Sequence, residues 1–307
     1  MDIFPLICVL VVIAVVILTT MAAFACHRLR HNPLCRRRNY IAEYPLQQPE
    51  ELCRQYQLNA TAISLISSDG TRLWLLYAPP RNGAVIILLH GYKMDCGEMV
   101  PIAAMLAQHG YGVLLADGRA HGRSDGEQIS FGLHEHQDIK AMVDFITLQQ
   151  GVTAIGIFGN SMGGALGLCY AATDKRVAAT VAHSPYASLG HSINKALPQF
   201  CGLPPFPFAT VMRLLCRIHL PINSPQLSPL AAIAAISPRA VLLLMGGNDD
   251  CVEAGGIFAL HANAGEPKQL WYEPHLGHVE FYQHRAEQFS TTVLQFYADN
   301  LLENTPL

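Results

Sequence analysis

From residue 61 onward the chain alternates short apolar runs with helical patterns, and that alternation leaves few folds open. Runs at 84–89, 111–116, 153–158, 177–182, 240–245 and 268–273 are mostly unbroken, as expected for strands buried on both faces of a parallel sheet. Helical patterns at 98–109, 134–149, 162–173 and 253–264 separate most of them, and a closing helix is expected near 286–302. Two earlier runs, 61–67 and 72–78, flank Asp69-Gly70, which reads as a hairpin. Together these predict an α/β fold on one mostly parallel sheet. At 307 residues a single domain can bury enough surface to need no metal or disulfide. The nine cysteines form no C-x-x-C pair, so neither a zinc site nor a disulfide framework is expected.

A different kind of segment comes first. Residues 3–25 carry no charge, and 14 of these 23 are Ile, Leu, Val or Phe. At 1.5 Å per residue they span roughly 34 Å, enough to cross a hydrocarbon core of about 30 Å. Their side chains favour insertion by about 4 to 8 kcal/mol. Ala23-Phe24-Ala25 before Cys26 resembles a signal cleavage site, but no Lys or Arg precedes the apolar run. A retained transmembrane anchor over residues 1–26 is therefore favoured. Arg28, Arg30, Arg36, Arg37 and Arg38 follow it, which by the positive-inside rule places the rest of the chain in the cytoplasm. The expectation is a single-pass protein of the cell membrane, with a basic collar near anionic headgroups.

Residues 27–58 mix Pro, Gln and charge without a sustained period and read as a juxtamembrane connector, leaving 59–307 as the folded domain. Within it, 186–236 separates two strands by about fifty residues, longer than an ordinary connection. Its middle, 196–212, is uncharged and rich in Pro and Phe, and the insertion reads as a lid. A net charge of −3 gives no footprint for nucleic acid. There is no Gly-Lys dipeptide for a phosphate loop, and His134-Glu135-His136 lacks the spacing of a helical zinc site.

Chemistry concentrates at the ends of the runs. Gly159-Asn160-Ser161-Met162-Gly163-Gly164 follows the run at 153–158 and opens a helical pattern. G-x-S-x-G between strand and helix is the signature of a tight turn that lifts its serine above the sheet. The helix N-terminus behind Ser161 favours developing negative charge. Serine needs a base to take its proton and an acid to orient that base, in the chain order Ser, Asp or Glu, His. Asp249 follows the run at 240–245 and His278 the run at 268–273, both at strand ends where open α/β sheets collect ligands. An oxyanion hole needs two backbone donors. The Met162 amide is one candidate; Tyr92, in His90-Gly91-Tyr92 after the run at 84–89, offers the other. His90 itself reads as a turn residue.

On these pieces, residues 60–303 resemble the alpha/beta-hydrolase superfamily, in its serine-aminopeptidase-like and monoacylglycerol-lipase-like branch. The matching segments are LLHGY (88–92), DGRAHGRSDG (117–126), GNSMGG (159–164), GGNDDCV (246–252) and LGH (276–278). The resemblance implies an eight-stranded, mostly parallel sheet flanked by helices. It implies nucleophile Ser161, acid Asp249, base His278 and oxyanion amides from Tyr92 and Met162. Neither a cofactor nor a metal is expected. Asn160 stands where this branch often has His, and His183 where it often has an acid. Asp250 adjoins Asp249, and the G-x-x-D-x-x-V register of Gly246, Asp249 and Val252 favours the latter. The expected reaction is hydrolysis of an acyl or lipid-type carboxylic ester through an acyl-serine, with a small-molecule or lipid-derived substrate and no nucleic-acid partner. A serine aminopeptidase or thioester hydrolase is one alternative; a non-catalytic membrane receptor or scaffold on the same fold is another.

Overall fold

The structure, a computed structural model, describes residues 4–31, 48–219 and 226–302. Arg36, Arg37 and Arg38 of the expected basic collar lie outside the described residues. Eight strands form one sheet: β1 (Thr61–Ile66), β2 (Arg72–Ala78), β3 (Ala84–Leu89), β4 (Gly112–Ala116), β5 (Ala154–Asn160), β6 (Val177–His183), β7 (Ala240–Gly246) and β8 (Lys268–Glu273). Their order is β1-β2-β4-β3-β5-β6-β7-β8. β2 pairs antiparallel with both of its neighbours, β1 and β4, and every other pair is parallel.

The helices are α1 (Phe4–Arg30), α2 (Pro49–Gln55), α3 (Val100–Gln108), α4 (Glu135–Thr147), α5 (Met162–Ala171), α6 (Leu189–Ala196), α7 (Pro205–His219), α8 (Pro229–Ala232), α9 (Gly255–Asn263), α10 (Phe281–His284) and α11 (Ala286–Tyr297). They cover both faces of the sheet because strand side chains alternate. Val85, Ile87 and Leu89 of β3 pack with Ile139, Val143 and Ile146 of α4 and Leu168 of α5. Ala84, Ile86 and Leu88 face the other way, toward Ile102 and Leu106 of α3 and Phe289, Val293 and Phe296 of α11. Every residue of β3, β4, β5 and β7 is buried, which is why those runs are unbroken in the sequence.

Two expectations need correction. The apolar N-terminal helix does not stop at residue 26 but runs to Arg30, because its last turns pack against the folded domain. The 27–58 connector also holds α2, which buries Cys53 in the core and pairs Glu50 with Arg123. Its seven residues are too few to show a helical period. Segment 117–126 is tied to its surroundings by ion pairs. Arg119 donates to both carboxylate oxygens of Asp138 at 2.7 Å and to Asp69 at 2.9 Å, and Asp125 pairs with Arg72 at 2.8 Å.

β3 is the point where strand order reverses, with β4 on one side and β5 on the other. Leu89 and Gly159 are paired across β3 and β5, Asn160 and His183 across β5 and β6, and Gly246 and Glu273 across β7 and β8. The segments that follow all leave the same carboxyl edge, at the crevice such a reversal opens.

Candidate active site

The turn from β5 into α5 sets the position of Ser161. Its backbone sits at φ 51°, ψ −113°, a left-handed conformation that costs a non-glycine residue about 1–3 kcal/mol. The turn is held on both sides: Ser161 N donates to His183 O at 2.7 Å, and Ala165 N to Ser161 O at 3.0 Å. Glycine is required beside it. A Cβ at Gly159 would lie 2.3 Å from the Gly163 carbonyl carbon, and one at Gly163 would lie 2.2 Å from Leu89 O. The start of α5 therefore presses directly on the end of β3.

After β7 the chain turns so that Asp249 is buried while Asp250 is exposed. One Asp249 oxygen accepts from the amides of Cys251 and Val252 at 2.9 and 2.8 Å, and the other from His278 Nδ1 at 2.7 Å. That bond fixes the proton on Nδ1 and leaves Nε2 of the neutral ring as the basic nitrogen. His278 and Ser161 line one cavity of about 800 Å³. Asp249, Cys251 and His278 also bring one possible metal-ligand atom each within 4.8 Å of one another. The Asp249 carboxylate is already engaged by two amides and an imidazole, which suits orientation of His278 better than a cation.

Opposite Ser161 lies the segment after β3. His90 Nε2 accepts from Gly118 N at 2.9 Å, so the ring proton is on Nδ1 and is donated to Gly91 O at 2.7 Å. Met94 N donates to the same oxygen. In a planar trans peptide the Tyr92 N–H points away from that carbonyl. His90 thus sets the direction of the Tyr92 amide. Tyr92 and Met162 both line the cavity.

Glu98 was not identified from the sequence. Its carboxylate accepts from Gly91 N at 2.7 Å and from Asn160 Nδ2 at 3.1 Å, clamping the Tyr92 segment to the turn that carries Ser161. Asn160 Oδ1 in turn meets His183 Nδ1 at 3.1 Å. His183 is buried, and burial pushes its pKa down to about 3, with nearby His278 adding to the shift and Asp249 opposing it. The unfolded chain binds this proton below about pH 6.5 and the folded chain only near pH 3, so stability is lost as pH falls through that window. The loss is at most about 1.4 kcal/mol per pH unit. Unfolding free energies measured by urea between pH 6 and 4 should fall less steeply in His183→Gln, and an unchanged slope would refute a neutral buried ring.

Residues 80–222 match the serine aminopeptidase (S33) family. The uncharacterized protein YqkD of Bacillus subtilis is 26% identical over 255 residues, which cover 81% of this chain and 82% of that protein. The uncharacterized protein Rv2307c of Mycobacterium tuberculosis is 30% identical over 217 residues, covering 69% and 70%. Among solved structures, the esterase Pf2001 of Pyrococcus furiosus superposes with a TM-score of 0.70 at 24% identity, over 83% of this chain and 95% of that one. That likeness is one of fold.

Proposed function

The chain belongs to the alpha/beta-hydrolase superfamily, and from that premise we propose that it is a membrane-anchored serine hydrolase acting on acyl or lipid-type carboxylic esters. The observation that carries this reading is the 2.7 Å bond from His278 to Asp249 beside a cavity that Ser161 also lines. Ser161 Oγ attacks the ester carbonyl carbon as His278 Nε2 takes its proton. The carbonyl oxygen becomes an oxyanion held by the Tyr92 and Met162 amides. Collapse breaks the bond to the alcohol, which leaves with the proton from His278. Water, deprotonated by His278, then attacks the acyl-Ser161 carbonyl and releases the acid. Asp249 holds the imidazole and stabilises its charged form. Each step returns its proton, so no further reactant is needed.

Glu98 is the one acidic side chain lining the cavity among the described residues, and both its oxygens already accept hydrogen bonds. A substrate α-amine would have to compete for them, which favours esters over amino-terminal peptides. Leu189, Ile193, Phe200 and Met212 of the 186–236 insertion line the cavity and offer an acyl chain an apolar wall. α1 is the anchor, with Arg28 and Arg30 at its cytoplasmic end.

Burying each methylene is worth about 0.8 kcal/mol, close to a fourfold gain. kcat/KM on esters of two to eight acyl carbons should therefore climb several-fold per step until the cavity is full. A flat or falling series would point to a small-ester or peptide hydrolase. Protease accessibility in intact cells checks the side of the membrane, and digestion from outside would reverse the orientation.

A further inference from the structure

The last turns of α1 do more than end an anchor. Ala22, Ala25 and Leu29 are buried at a spacing that puts them on one helix face, whereas Ile7 to Ile17 offer exposed Ile, Val and Leu side chains. The buried face packs on Ile193 of α6, Leu197, and Ala209 and Met212 of α7. The two alanines let α7 approach closely. The end of the helix is also bonded to the domain. Tyr92 Oη donates to Leu29 O at 3.0 Å, Ile129 N donates to Arg30 O at 2.8 Å, and Arg30 Nη2 donates to Gln128 Oε1 at 2.6 Å. Carbonyls that a helix C-terminus normally leaves to water are therefore satisfied by the hydrolase domain. Cys26 and Leu29 line the same cavity as Ser161 and His278.

We infer that the segment from Cys26 to Leu29 is part of the substrate site and forms a wall against which the acyl chain lies while Ser161 attacks its ester. This rests on the ester-hydrolase reading and adds to it where the chain binds and how it arrives. The helix that meets lipid along Ile7 to Ile17 is continuous with the cavity wall. An acyl chain can follow it from bilayer to cavity without crossing water, which a flexible tether could not provide. Substrate selection is thereby written partly into the anchor, and the acyl chain comes from a bilayer lipid.

The direct test uses the full-length protein in phospholipid vesicles and an alkyl fluorophosphonate carrying a diazirine near the end of its chain. Once the probe has reacted with the active serine, photolysis is expected to link its tail to the α1 peptide containing Cys26 and Leu29. In parallel, Cys26→Trp and Leu29→Trp should each lower the ratio of kcat/KM for a dodecanoyl over a butanoyl ester by tenfold or more. Val12→Trp, on the exposed length of α1, is expected to keep the wild-type ratio. Leu29 is buried and Cys26 only half-buried, so the Cys26 variant and the crosslink stand even where Leu29→Trp fails to fold. Adducts confined to the 186–236 insertion, with an unchanged ratio in Cys26→Trp, would overturn the inference and leave the hydrolase reading intact. A wild type that neither takes the probe nor cleaves any ester would instead overturn the hydrolase reading, and this one with it.

Discussion

Ser161→Ala is expected to lower ester turnover by about 10⁶-fold and to abolish fluorophosphonate labelling, with little change in thermal stability. Nucleophile, base and acid act as a unit, so losing the nucleophile alone removes nearly all of their joint contribution. What remains is transition-state binding by the oxyanion donors, about 10³–10⁴-fold over water. Alanine occupies the same left-handed backbone conformation at the same cost as serine, so the turn and α5 are expected to persist. Melting curves should overlay within a few degrees. Labelling that survives the substitution would place the nucleophile at another hydroxyl, such as Ser192 on the cavity wall.

Two adjacent acids give the second large effect, and its asymmetry is the useful part. Asp249→Asn should cost about 10⁴-fold in turnover, because an amide facing Nδ1 can turn a donor toward it and favour the wrong imidazole tautomer. Asp250→Asn should change turnover only a few-fold. Asp250 is exposed and meets Cys251 Sγ at 3.3 Å, whereas Asp249 is buried against His278. KM for a short ester is expected to stay near the wild-type value in Asp249→Asn, since the acid touches the imidazole and not the acyl chain. The reverse pattern, with Asp250→Asn inactive and Asp249→Asn active, would require the turn after β7 to be one residue out of register.

The central strands were legible because their burial is extreme. Ala84–Leu89 and Ala240–Gly246 are apolar at almost every position since both sheet faces are covered. Ser161 was legible because the glycines around it are fixed by backbone approach, which leaves a local spelling. Asp249 and His278 could be found because each stands a few residues beyond such a run. Glu98 left no signal of that kind. It sits seven residues past the amide it binds, and its second partner, Asn160, is 62 residues away. The docking of α1 was hidden for another reason. A segment apolar on every side shows no preferred face, so nothing in 3–25 marks Ala22 and Ala25 as different from their neighbours. Helices α6 and α7 were readable only as a long insertion, because the surface they pack on comes from the far end of the chain.

The left-handed backbone at residue 161 also has an evolutionary consequence. Serine holds that conformation at a cost that glycine does not bear. Selection for turnover is what keeps a side chain there. In a lineage where that selection lapses, mutation to glycine runs thermodynamically downhill, and loss of chemistry coincides with a gain in fold stability. Descendants that kept the scaffold for binding alone would drift toward Gly at this position while retaining the glycines at 159 and 163, whose replacement the fold itself opposes. A silent relative would then be recognised by what it gained at the elbow.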